Sequence, residues 1–180
     1  LKSIEVLKME YEGISLIPVE IEDIELLNKW KNDENIYKYL GGGFKPISLS
    51  QQRKWIDKLV ENTSENQRYI IKVNENVKVG FVGLYNISLV HRTCSLGLYI
   101  GEKEYWGQGI AKKAYLALEK YAKQYLNIRK IHLEVVEGNE NAVKLYKKLG
   151  FKICGSLEQE RYIDGKYENL LIMDKFLQEE

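Results

Sequence analysis

In this 180-residue chain, a glycine-rich loop lies between a strand-like run and the longest helical pattern, and this order limits the folds that the chain can adopt. The run Thr93–Ile100 is rich in strand-forming residues, and residues 104–111 follow it with Gly107 and Gly109. Beyond the loop, apolar residues recur at intervals of three and four as far as about Leu126, which predicts an amphipathic helix. The fold must therefore place a strand, a tight loop and a long helix in succession.

A strand, loop and helix in this order can hold a phosphate group without a lysine. Backbone N–H groups of the loop can converge on one point, the helix N-terminus adds partial positive charge, and Gly107 and Gly109 leave room for a ligand. A P-loop site is excluded because Ile110 and Ala111 stand where its Lys and its Ser or Thr are required. A dinucleotide-binding fold would need a third glycine and parallel repeats. A tight turn that merely needs positive φ remains an alternative.

The other segments predict a mixed α/β (α+β) domain with a central, mostly antiparallel sheet. Strands are expected at Ile14–Pro18, Thr93–Ile100 and Lys130–Val136, in a hairpin over residues 68–85, and on both sides of Asp164 and Gly165. Helices are expected from Ile24 to Trp30, after a mobile break at residues 41–46 with Ser48 or Ser50 as the cap, and over residues 139–149, closed by Gly150. With 44% hydrophobic residues and no linker, residues 1–180 are expected to form one domain.

Charge and cysteine content narrow the classes of partner. The 27 basic and 26 acidic residues are interspersed, so no strong field attracts nucleic acid or an anionic membrane. Cys94 and Cys154 are too few for a disulfide framework or a zinc site, and we expect both to lie in the core. No apolar run approaches the roughly 18 residues of a membrane span, and residues 1–5 lack the apolar centre of a signal peptide. We therefore expect a cytoplasmic protein without a metal.

A second segment, residues 133–151, resembles a motif of the GNAT superfamily of N-acetyltransferases. It matches the signature Asn-x-x-Ala-x-x-Leu-Tyr-x-x-x-Gly-Phe at every fixed position, from Asn139 to Phe151. In the loop, Gly109 and Ala111 match the family's Gln/Arg-x-x-Gly-x-Gly/Ala pattern, whereas Trp106 stands in place of Gln or Arg and removes a polar side chain. The resemblance extends over nearly the whole chain. It is compatible with the branch of ribosomal-protein alanine acetyltransferases and spermidine/diamine acetyltransferases.

The resemblance implies a GNAT fold whose sheet is splayed at an acetyl-CoA site. It also implies direct transfer of the acetyl group to a primary amine in a ternary complex, with the strand before the loop binding the pantetheine through its backbone. The cofactor-binding residues implied are Leu98, Tyr99, Ile100, Trp106, Gly107, Gln108, Gly109, Ile110, Ala111, Asn139 and Tyr146.

Two residues are candidates for proton transfer. An alkylamine is protonated near pH 7, so a base must accept its proton. Glu134 alternates with Leu133 and Val135 in an apolar strand, so we expect it to be partly buried, where a carboxylate is a stronger base. It also matches the base of the ribosomal alanine acetyltransferases, although a solvated glutamate at a strand edge is the alternative. Tyr146 matches the family's general acid, two helical turns from Asn139.

The acceptor amine is left open by the sequence. A protein N-terminal amine predicts an open groove, whereas a polyamine, a nucleotide amino sugar or an aminoglycoside predicts a closed acidic pocket under residues 41–46. A third hypothesis is a non-catalytic acyl-CoA-binding module with a blocked cleft. The late strands could also pair in a homodimer. Acidic residues that could attract a cationic amine are Asp33, Glu34, Glu158, Glu160 and Glu168, and residues not expected to be catalytic are His91, Arg92 and His132.

Overall fold

A computed structural model describes residues 9–74 and 76–177. Residues 1–5, which argued against a signal peptide, lie outside the described residues. The strands are β1 (Met9–Tyr11), β2 (Ile14–Pro18), β3 (Gln67–Val73), β4 (Val77–Ser88), β5 (Thr93–Ile100), β6 (Lys130–Val136), β7 (Lys152–Ile163) and β8 (Lys166–Phe176). The helices are α1 (Ile24–Lys31), α2 (Glu34–Tyr37), α3 (Leu49–Val60), α4 (Ile110–Gln124) and α5 (Glu140–Lys148).

These strands form one sheet in the order β1-β2-β3-β4-β5-β6-β8-β7. Each neighbouring pair is antiparallel except β5 and β6, which run parallel. Parallel neighbours need a crossover connection, and α4 supplies it. The prediction of a mixed, mostly antiparallel sheet is confirmed.

Helices cover the two faces of the sheet unequally. On one face α4 and α5 bury Tyr115, Leu118 and Tyr146 in the larger hydrophobic cluster. On the other face α1 and α3 bury Trp30 and Ile56 in a second cluster over β3 and β4. Because side chains alternate along a strand, β3, β4 and β5 each contribute to both clusters.

Local signals placed the ends of the helices correctly. The hydroxyl of Ser48 accepts the N–H of Gln51 at 3.1 Å and caps α3, and Gly150 follows α5 with φ +92°. The sequence analysis missed β1 and α2, which are too short to show a hydrophobic period. The carboxylate of Asp33 accepts the N–H of Asn35 at 3.0 Å and so caps α2.

The prediction that both cysteines lie in the core is half wrong. Cys94 is fully buried in β5, whereas Cys154 is exposed in β7. The difference arises because β7 is an edge strand with mostly exposed residues. A homodimer through these late strands stays a prediction. Within the two described ranges, no helix is both long enough and apolar enough to cross a bilayer.

Candidate active site

The parallel strands β5 and β6 separate soon after they pair. Their register joins Thr93 to Lys130, Cys94 to Ile131 and Ser95 to His132, and no further pair follows along either strand. A cleft of about 640 Å³ lies between the end of β5 and the first turns of α4 and α5. This is the splay that the resemblance implied.

The cleft brings together all but one of the residues predicted to bind the cofactor. It is lined by Leu98, Tyr99, Ile100, Trp106, Gly107, Gly109, Ile110, Ala111, Asn139 and Tyr146. The exception is Gln108, whose side-chain amide donates to the Glu104 carbonyl at 2.7 Å and closes the loop on itself. Gln108 therefore supports the loop from outside the cleft.

Some residues of the cleft were not predicted. The segment over α2 and the following turn contributes Asn35, Ile36, Lys38, Tyr39 and Leu40, and the remaining residues are Tyr105, Lys112, Asn141, Ala142 and Leu145. Asn141, Ala142 and Leu145 could have been found from their spacing to Asn139 and Tyr146 on one helix. The α2 segment gives no such signal, because it reaches the cleft only through the tertiary fold.

The loop before α4 has the backbone conformation of an anion site. Gly107 and Gly109 have φ of +74° and +75°, and a Cβ atom on either would meet no heavy atom within 4 Å. Glycine is therefore required here for its conformation rather than for space. The N–H groups of the first turn of α4 have no partner within the helix and are available to a phosphate. Lys112 adds positive charge to the same cleft, whereas the Lys38 ammonium forms an ion pair with Asp164 at 3.1 Å.

Trp106, which stands in place of a polar Gln or Arg, still makes a polar contact through its indole ring. Its indole N–H donates to the Ile100 carbonyl at 2.9 Å, while 45% of the residue is exposed. The side chain thus ties the loop to the last residue of β5. The bond uses none of the backbone N–H groups of the loop.

Helix α5 places Asn139 and Tyr146 on one side of the cleft. The Asn139 side chain accepts the N–H of Ala142 at 3.4 Å and caps the helix. Tyr146 is 7% exposed and packs edge-on against Phe151. Burial raises the pKa of Tyr146 to about 12, so its hydroxyl keeps its proton at neutral pH and can act as a donor.

Glu134 is not partly buried, as the alternation in β6 had suggested. Its side chain is exposed, and it lines neither the 640 Å³ cleft nor the second cavity described below. It lies just beyond the last β5–β6 pair, opposite Ile172 of β8. The burial expected from the alternation fails because α1 and α3 cover β3 and β4 but do not extend over β6.

His132 stands two residues before Glu134 on the same face of β6. Its Nε2 lies 2.7 Å from the Ser95 hydroxyl, at the last paired position before the strands separate. Burial, followed by the charge of Lys130, lowers the pKa of His132, although Glu134 and Asp174 oppose the shift. A neutral imidazole therefore sits at the base of the splay.

A second cavity, of about 410 Å³, lies on the α1–α3 side of β5 and shares Leu40, Leu98 and Tyr99 with the first. We call it the α3 cavity. Its lining consists of Leu27, Tyr37, Leu40, Gly41, Gln52, Leu59, Arg68, Phe81, Tyr85, Gly97, Leu98 and Tyr99. The two cavities thus meet on either side of one strand.

The α3 cavity is not acidic, contrary to the expectation for a small-amine site. No Asp or Glu of residues 9–74 or 76–177 belongs to its lining. Asp33, one of the predicted acidic candidates, instead forms an ion pair with Lys103 at 2.6 Å. A hydrogen bond from Lys103 holds the pKa of Asp33 below its ordinary value. In the described ranges, no cluster of three or more His, Cys, Asp or Glu side chains is placed to hold a metal ion.

Comparisons with known proteins agree with this geometry. A family profile described as "Acetyltransferase (GNAT) domain" matches residues 14–152. The spermidine N(1)-acetyltransferase of Escherichia coli strain K12 is 31% identical over 162 residues, which cover 89% of this chain and 84% of the relative. The spermidine N(1)-acetyltransferase of Vibrio cholerae serotype O1 is 27% identical over 169 residues, covering 91% of this chain and 95% of the relative.

A solved structure extends the similarity to three dimensions. The spermidine N-acetyltransferase from Vibrio cholerae in complex with CoA and spermine superposes with a TM-score of 0.82 at 26% identity. The superposition covers 91% of this chain and 95% of that protein.

Proposed function

Because this chain belongs to the GNAT family of acetyltransferases, we propose that it transfers the acetyl group of acetyl-CoA to the primary amine of a small molecule. The family membership makes it an acetyl-CoA-dependent N-acetyltransferase. The small-molecule acceptor is favoured over a protein N-terminus because the two relatives are spermidine acetyltransferases. We also propose that it acts as one domain in the cytoplasm, where acetyl-CoA and free thiols such as Cys94 coexist.

The observation that carries the proposal is the pair of cavities on either side of β5. The 640 Å³ cleft has the glycine loop, Lys112 and a helix N-terminus, which suit the phosphates of CoA. The α3 cavity is bounded by three helices and the sheet, and at about 410 Å³ it fits a compact molecule better than a peptide. An amine in the α3 cavity would reach the thioester across the end of β5.

The chemistry proposed for the site is a direct transfer. The amine nitrogen attacks the thioester carbonyl carbon, the carbon–sulfur bond breaks, and the Tyr146 hydroxyl gives its proton to the leaving thiolate. Glu134 accepts the proton of the amine through water, because it is exposed near the splay rather than in contact with the cavity. A covalent route through Cys94 is disfavoured because burial raises the pKa of this thiol to about 12.

The test is a thiol-release assay with acetyl-CoA and a panel of spermidine, amino sugars, aminoglycosides and N-terminal peptides. Release with a small amine, and none with peptides, is the expected result. Release with peptides alone would restore the protein N-terminal hypothesis. Binding of acetyl-CoA in calorimetry without release for any amine would favour the non-catalytic module instead.

A further inference from the structure

The α3 cavity contains a buried polar atom without a partner. Gln52 in α3 is 6% exposed, and its side-chain oxygen has no hydrogen bond within the described part of the chain. A buried acceptor that is left unsatisfied is costly, so it is expected to find a donor in a functional state. Gln52 lines the cavity, and a ligand there could supply that donor.

Cations already lie over two of the four aromatic rings that line the cavity. The Lys31 ammonium lies 4.0 Å from the centre of the Tyr37 ring, and the Arg68 guanidinium lies 5.4 Å from that of Tyr85. These two rings are therefore occupied as cation–π acceptors, while Phe81 and Tyr99 stack on each other with ring centres 5.6 Å apart. A ligand with several ammonium groups would add charge of the same sign without a carboxylate to balance it.

Two glycines shape the floor of the cavity around Tyr85. A Cβ atom on Gly83 would lie 2.8 Å from the Tyr85 hydroxyl, and one on Gly97 would lie 2.8 Å from its ring. The ring therefore lies flat on the sheet, where a side chain at either position would displace it. Arg68 donates one guanidinium bond to the Lys58 carbonyl at 3.0 Å and keeps further N–H groups for an acceptor.

From these contacts we propose that the α3 cavity takes an amino sugar, with Gln52 and Arg68 as its specificity-determining residues; this rests on the function proposed above. The Gln52 oxygen accepts a sugar hydroxyl, Arg68 donates to another hydroxyl or to a phosphate ester, and the aromatic rings pack on the sugar ring. The amine is the only basic group of such a ligand. Nearby cations favour its neutral form, which is the nucleophile.

The experiment compares glucosamine, glucosamine 6-phosphate and spermidine as acceptors in the thiol-release assay. We expect kcat/KM for the better amino sugar to exceed that for spermidine by about tenfold or more. Higher activity with the phosphate ester than with the free sugar would identify a phosphorylated ligand, and the reverse would identify a neutral one. A higher kcat/KM for spermidine than for both sugars overturns the inference while the small-amine function stands.

Two substitutions separate recognition from folding. Gln52→Leu keeps the volume and removes the acceptor, so KM for the amino sugar should rise about tenfold while kcat changes less. Gln51→Leu is the matched control, because Gln51 precedes it in α3 and is exposed. Equal kinetics for the two variants would contradict the role of Gln52.

Thiol release with peptides alone, or with no amine in a protein that binds acetyl-CoA, would contradict both the amino-sugar inference and the small-amine function.

Discussion

Tyr146 is the residue whose proposed role depends most directly on its surroundings. Burial raises its pKa to about 12, so at neutral pH its hydroxyl keeps the proton that the proposed transfer to the CoA thiolate requires. Tyr146→Phe is expected to lower kcat by about 10²-fold or more, the usual contribution of a general acid, with little change in acetyl-CoA binding. Steady-state kinetics and calorimetry together check this.

The control for that change is Tyr125→Phe, which removes a hydroxyl from an exposed residue just after α4. It should keep the wild-type kcat. If Tyr146→Phe also retained full kcat, the thiolate would have to take its proton from water, and the assignment of Tyr146 would be wrong.

His132 gives a prediction about stability and pH. Its pKa in the folded protein is lowered from the ordinary value of 6.5, mainly by burial. The unfolded chain therefore binds a proton first as the pH falls through 6.5, and the free energy of unfolding should decrease from that pH downward to the folded-state pKa. Thermal melts of the wild type and of His132→Gln between pH 8 and about 5 measure this loss of stability.

His132→Gln should lose less stability over that interval than the wild type. His91→Gln, a change at an exposed position, should follow the wild-type curve. Parallel curves for all three proteins would mean that His132 does not contribute to the pH dependence.

Among the elements, the loop before α4 places two glycines with positive φ at the candidate cofactor site. Alanine at Gly109 would have to adopt φ near +75°, at a cost of about 1–2 kcal/mol. Gly109→Ala is therefore expected to lower stability by that amount and to raise KM for acetyl-CoA several-fold, because the loop N–H groups shift. Denaturant unfolding and kinetics with varied acetyl-CoA measure the two effects.

Gly13 offers a matched control in the β1–β2 turn. Its φ is +81°, and a Cβ atom there would also meet nothing within 4 Å. Gly13→Ala should lose a similar amount of stability while KM for acetyl-CoA stays unchanged. An equal rise in KM for both variants would show that the effect on Gly109 reflects stability alone.

At the scale of the whole molecule, one carboxylate joins the α1–α3 layer to the strand that leads into the loop. Glu102 accepts the Trp30 indole N–H at 2.9 Å and a Lys29 ammonium bond at 2.8 Å. The Trp30 ring packs so close to Gly101 that a Cβ atom there would lie 2.3 Å away. Although burial opposes it, these hydrogen bonds hold the pKa of Glu102 below its ordinary value.

Glu102→Ala leaves the indole N–H of a fully buried tryptophan without its acceptor. We expect the free energy of unfolding to fall by about 1–3 kcal/mol, measured by urea denaturation. Glu104→Ala, at an exposed position two residues later, should stay within about 0.5 kcal/mol of the wild type. A similar loss of unfolding free energy in both variants would show that the Trp30–Glu102 hydrogen bond is not the source of the stability.

The local parts of the candidate site could be predicted from short-range patterns in the chain. The glycine loop, the long helix after it and the cap at Asn139 are set by residues a few positions apart, so spacing and backbone preference were enough to predict them. The same holds for Tyr146, which shares one helix with Asn139. The match of these segments to a known motif also gave the family and the cofactor.

The surroundings of those residues depend on contacts between distant segments and could not be predicted from local patterns. Glu134 alternates with apolar neighbours, yet it is exposed because the helices over the opposite half of the sheet do not reach it. The α3 cavity joins Tyr37, Gln52, Arg68 and Tyr85 from four separate elements. Their proximity depends on how helices and strands distant in the chain pack together, and no spacing along the sequence encodes that packing.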